Sequence, residues 1–160
     1  MSDFDYPQAA PSTREALVLH SRLTDAAALA EHFHVLLMEG GLQRVLDAVG
    51  RRPELLAGLL PIVANPEAAM NVRLGASVVF ERYAGTPALQ ALVPALGELA
   101  AHADARVRAD ACHFLGLSAT AAAVPYLQRC LEDEDADVRE IAADGLEALA
   151  ERPKAQEAPS

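Results

Sequence analysis

The stretch Val107-Arg108-Ala109-Asp110-Ala111-Cys112-His113-Phe114-Leu115-Gly116 decides the fold, because it recurs on both sides of itself. Val72-Arg73-Leu74-Gly75-Ala76, running to Phe80, precedes it, and Val138-Arg139-Glu140-Ile141-Ala142, running to Leu146, follows it. Each copy has Val-Arg, a small residue four positions after the Val, and a large apolar residue eight positions after it. These three positions share one face of a helix. The Val and the large residue pack inward, and the small residue between them lets a neighbouring helix approach.

A second element stands before the last two copies. Pro94-Ala95-Leu96-Gly97-Glu98-Leu99 begins thirteen residues before Val107, and Pro125-Tyr126-Leu127-Gln128-Arg129-Cys130 begins thirteen before Val138. Asp104 and Asp135 each sit three residues before the Val, where a carboxylate caps the next helix by accepting its free first-turn N–H groups. Self-similarity at 35 residues (72 to 107) and 31 residues (107 to 138) marks a stack of helical hairpins.

Val124-Pro125-Tyr126-Leu127, Leu131-Glu132-Asp133, Asp135-Ala136-Asp137-Val138-Arg139 and Ala142-Ala143-Asp144-Gly145-Leu146 resemble the HEAT-like repeat family, in the short bacterial form named after phycobilisome lyases. The resemblance covers residues 87–150 most fully and 54–84 less so. It implies an all-α fold, a right-handed α-α superhelix closed by an N-terminal helical cap. It also implies a polar ladder of Asp and Arg through the stack, carried onto Asp104, Asp135, Arg73, Arg108 and Arg139. The first repeat departs from the pattern, because Ala69 stands where the Asp should be.

The expected organisation is a flexible arm over 1–11, one helical repeat domain over 12–151, and a disordered tail over 152–160. Within the domain, 12–50 form capping helices and 54–84, 87–117 and 120–151 form repeats. Ser12-Thr13-Arg14-Glu15 is a capping-box pattern that starts the first helix, whose apolar side is Leu17, Val18 and Leu23. Thr24-Asp25 opens a second helix, which Gly40-Gly41 breaks. Leu42 to Val49 is a short amphipathic helix, and Glu54 to Ala64 is another, with a bend at Pro61. Helices over about 70–84, 87–102 (bent at Pro94), 105–117, 121–132 and 136–151 complete the stack.

At 160 residues this is one compact unit. It has no Trp and only 4% aromatic residues, and its Ala-rich composition suits closely packed helices rather than a sheet. The net charge of −10 repels phosphate backbones and anionic lipid, so nucleic-acid and membrane partners are disfavoured. That charge also argues against the HEAT-like base-excision glycosylases, which need a basic, aromatic-lined groove. No apolar run reaches the length of a membrane span, and the N-terminus lacks a secretory pattern. Two Cys outside any motif point to a reducing, cytoplasmic setting.

No residue set reads as catalytic, cofactor-binding or metal-binding. His32 and His34 point about 200° apart on a helix, so they cannot share an ion from it. Cys112 and Cys130 fall at small-residue and core positions and read as buried hydrophobes. The acidic run Glu132 to Glu140 reads as a solvated turn at a helix N-terminus, without the Gly and ligand order of a calcium loop. The expected role is a non-catalytic scaffold or adaptor that binds another protein in its concave groove. Leu74, Val78, Arg82, His113, Glu140 and Asp144 line that groove by helical phase. The resemblance implies one alternative, a subunit of a bilin-lyase-type enzyme or a chaperone for a cofactor-bearing partner. The sequence leaves open whether the stack self-associates through one end.

Overall fold

A computed structural model describes the backbone of residues 11–151 and the side chains of residues 25–151. The expected arm, apart from Pro11, and the expected tail lie outside the described residues. So do the side chains of the capping-box pattern and of Leu17, Val18 and Leu23.

Helix α1 runs unbroken over Pro11–Met38. The helix break expected at Thr24-Asp25 is absent. No Gly or Pro lies between residues 12 and 39, and Thr or Asp inside a helix costs under about 0.7 kcal/mol relative to Ala. That is less than the loss of a helical turn. Phe33, Leu36 and Leu37 anchor its second half in the core. Gly40, at φ +81°, ends it. Its left-handed conformation lets the N–H of Gly41 reach back to the Leu36 carbonyl at 2.6 Å.

Helix α2 (Leu42–Arg51) buries Val45, Leu46 and Val49. The expected helix over 54–64 is instead a 3-10 segment, Pro53–Leu59, followed by the single turn α3 (Leu60–Val63). Pro61 has no N–H to give the Ala57 carbonyl, so an α-helical ladder cannot run through this point. The same effect divides the expected 87–102 helix into α5 (Pro87–Gln90) and α6 (Val93–Leu99). Pro94 cannot donate to Gln90, and the chain turns at Ala91-Leu92, just before the proline. A 3-10 turn over Ala121–Ala123 likewise precedes α8 (Val124–Cys130), which carries Pro125. Pro61, Pro94 and Pro125 thus each occupy the second position of a repeat's first helix.

The second helices are α4 (Met70–Arg82), α7 (Ala105–Leu117) and α9 (Ala136–Ala150). Val72, Val107 and Val138 are all 0% exposed, and Ala76, Ala111 and Ala142 are buried beside them. Phe80 and Leu115 are fully buried, and Leu146 is half-buried and packs against the same core. Between α7 and α9 the backbones nearly touch at two glycines. A Cβ placed on Gly116 would stand 2.8 Å from the Gly145 Cα, closer than real Cβ contacts allow. The result is an all-α, HEAT-like stack of helical hairpins with one continuous core. Among the described residues, no helix is long and apolar enough to cross a membrane.

Candidate partner-binding face

Side-chain links across the stack set α4, α7 and α9 side by side. Arg73 of α4 donates to Asp110 of α7 at 2.6 Å, and His113 of α7 lies 3.2 Å from the Glu81 carboxylate of α4. Arg106 and Ala109 of α7 line a shallow cleft of ≈ 350 Å³ together with Asp137, Glu140 and Ile141 of α9. Phe80 and Phe114 stack beneath the first of these seams, with ring centroids 4.4 Å apart.

Leu74, Val78, Arg82, His113, Glu140 and Asp144 are all exposed on these three helices. Leu74 is 58% and Val78 40% exposed, unusual for aliphatic side chains on a packed helix. Met70, one turn before Leu74, is also exposed. Two residues of α1 extend this apolar area. Val35 and Met38 are exposed, and α1 is fastened to α4 where Leu37 meets Gly75 and where Asn71 reaches the Met38 carbonyl. The α9 part of the face is different in kind: Asp137, Glu140, Asp144 and Glu147 are all exposed there.

The polar ladder pairs different residues from those expected. Asp104 and Asp135 serve as N-caps. Asp135 accepts from the N–H groups of Asp137 and Val138. Asp104 accepts from the N–H of Arg106 and from that residue's guanidinium. The Arg106 side chain, aided by its backbone N–H, holds the Asp104 carboxyl down at about 2. A carboxylate turned towards its own helix start cannot also face the neighbouring repeat, so the inter-repeat partner is another residue. Arg108 makes a two-pronged pair with Asp133 at 2.8 and 2.9 Å. It also donates to the His102 and Ala103 carbonyls. Both side chains of the pair are only 10% exposed, and the guanidinium holds the Asp133 carboxyl below its ordinary range. Arg139 repeats the local half of this pattern by donating to the Asp133 carbonyl at 2.7 Å.

Asp133 was the residue to find from the sequence. It stands 31 residues after His102, so the repeat frame places a carboxylate and an imidazole at one site. The structure shows them doing the same local work. The Asp135 N–H donates to Asp133 Oδ1, and the Asp104 N–H donates to His102 Nδ1. With His102 in the carboxylate's place, Arg73 turns to Asp110, and its buried Nε has no partner.

Cys112 and Cys130 are buried and unbridged. Burial, helped by the neighbouring Cys130, pushes the Cys112 thiol up, which makes it a poor nucleophile. The Cys130 thiol donates to the Ala100 carbonyl at 3.7 Å. Among the described residues, no group of three or more His, Cys, Asp or Glu is placed to hold a metal ion.

No curated protein matches the chain. A model of HEAT repeats matches residues 56–150, more than half of the sequence, from within the 3-10 segment to the end of α9. That match and the paired helices, whose Val and Ala copies are buried in the stack, agree: the chain belongs to the HEAT-repeat family.

Proposed function

We propose that the protein is a non-catalytic protein–protein interaction module, a scaffold or adaptor that works through the exposed face of α4, α7 and α9. The observation that carries this reading is the exposure of Leu74 and Val78 beside His113, Glu140 and Asp144 on adjoining helices. Leaving aliphatic side chains in water forgoes about 25 cal/mol per Å² of apolar surface, and contiguous patches of this kind mark contact sites. The buried polar side chains support the reading from another direction. Arg108 and Ser118 are spent on hydrogen bonds within the stack. The proposed setting is the cytoplasm, which suits two buried thiols left unbridged. We read residues 12–151 as the working unit, with α1 and α2 covering the first repeat as stacks of this kind require.

The test compares affinity capture by the wild type with capture by a Glu140→Lys/Asp144→Lys/Leu74→Ser variant that retains wild-type helicity. The variant should lose specific partners that the wild type retains. Identical partner sets would remove this face from consideration.

A further inference from the structure

The face just described is graded along the stack. At the α1–α4 end it is mainly apolar, with Met38, Met70, Leu74 and Val78 exposed on two helices in contact and Arg82 at the end of α4 as its charged margin. At the α9 end it is acidic, with Asp137, Glu140, Asp144 and Glu147 exposed. The cations beside those acids offset only part of their charge. Arg106 is held by both oxygens of Asp104, and Arg139 donates to the Asp133 carbonyl. The middle, on α7, is near neutral, with Arg73 paired to Asp110 and His113 beside Glu81.

We infer that this face takes an amphipathic segment of a partner protein with apolar anchors at one end and a Lys/Arg cluster at the other. The anchors lie on Met70, Leu74 and Val78, and the cluster lies on Glu140 and Asp144. The inference rests on the interaction-module reading above and adds the chemistry of the ligand. Charge disfavours the simplest rival, a second copy of this chain. Each copy carries a net charge of −10, so bringing a second one against an already acidic edge sets like charges together. Packed helices lie 8–10 Å apart, so the apolar and acidic ends are separated by roughly 20 Å. That distance corresponds to about 13 residues of a helical ligand or about six of an extended one.

The experiment is selection from a random 18-residue peptide display library against three immobilised proteins. These are the wild type, Leu74→Ser/Val78→Ser, and Glu140→Lys/Asp144→Lys. All substituted positions are exposed, and circular dichroism confirms the fold of each variant. The wild-type pool should carry apolar residues separated from Lys/Arg by the spacing above. Its best peptides should bind at least tenfold more weakly to either variant, and raising salt from 50 to 500 mM should weaken them further. The charge-reversed variant should select Asp/Glu where the wild type selects Lys/Arg. A pool with no enrichment, or one indifferent to the charge reversal, overturns the inference. If captured partners still depend on the face while selected peptides are purely apolar or acidic, the interaction reading stands and the ligand chemistry falls. If neither set of substitutions alters capture or selection, both fall. A dimer in light scattering that Leu74→Ser/Val78→Ser dissolves would assign the apolar end to a second copy and overturn the inference.

Discussion

The two junctions between successive repeats are built differently from the same frame. At the junction of α7 with the final repeat, a buried guanidinium grips Asp133 with two hydrogen bonds, and the helices approach at Gly116 and Gly145. At the junction of α4 with the middle repeat, the matching arginine makes one bond to the half-exposed Asp110 and leaves its Nε unpaired. There, stacked Phe80 and Phe114 fill the space instead. The repeat frame therefore demands that each hairpin cover its neighbour, without fixing whether ionic or aromatic contacts do so. This agrees with the modest net worth of buried ion pairs compared with well-packed apolar groups.

The largest expected effect is at the aromatic junction. Phe114→Ala should destabilise by about 4 kcal/mol in denaturant unfolding, through lost burial, the cavity left behind and the loss of stacking on Phe80. A cost under about 1 kcal/mol, on the same scale, would show that the aromatic pair does not hold this junction.

Asp133→Ala should follow at about 3 kcal/mol, because it strands a buried guanidinium. Asp110→Ala should cost under about 1 kcal/mol, since its single partner lies nearer solvent. If both cost the same, the two arginines are equivalent and the junctions do not differ as described. The Asp133 pair also sets a pH dependence. Its carboxyl is depressed in the folded state, so its contribution is fully present above the unfolded value, near 3.8. That contribution is lost as pH falls through the folded value. The stability gap between wild type and Asp133→Asn should therefore be constant from pH 7 to 5 and shrink on acidification below 4. A gap that widened there would reverse the sign assigned to the pair.

His102→Asp tests the contrast in the other direction. A carboxylate at the position equivalent to Asp133 should offer Arg73 a two-pronged partner and stabilise by about 1 kcal/mol. No gain in unfolding midpoint would mean that the first junction is set by its aromatic filling rather than by the missing acid. The smallest effect concerns the residues just before the capping threonines. Gly85 precedes Thr86 at φ +75°, whereas Ala119 precedes Thr120 at φ +58°. Ala119→Gly should stabilise by about 0.5 kcal/mol, as relief of the left-handed strain slightly exceeds the entropy cost of glycine. A loss of stability would show that the Ala119 side chain contributes packing there.

Much of the architecture can be read from the chain because it is local. The spacing of Val72, Ala76 and Phe80, and of its two later copies, places each set on one helix face whatever surrounds it. The caps at Thr86, Asp104, Thr120 and Asp135 act within three residues of themselves. The proline register at 61, 94 and 125 was equally local, and it predicts the divided first helices better than a bend within one long helix does. The continuity of α1 could have been read in the same way, since nothing between residues 12 and 39 is strong enough to interrupt it.

Sequence alone determined that short helices pair, and which side chains they bury, because helical periodicity is a property of neighbours along the chain. Only the tertiary structure decided that Arg108 meets Asp133 while Arg73 meets Asp110, across 25 and 37 residues. It alone placed Ala119 in a left-handed turn and joined the exposed apolar residues of α1 to those of α4. Those outcomes depend on how one hairpin abuts the next. At that distance, each arginine's partner is set by how the helices pack and by which side chain the next repeat offers, Asp133 in one case and His102 in the other.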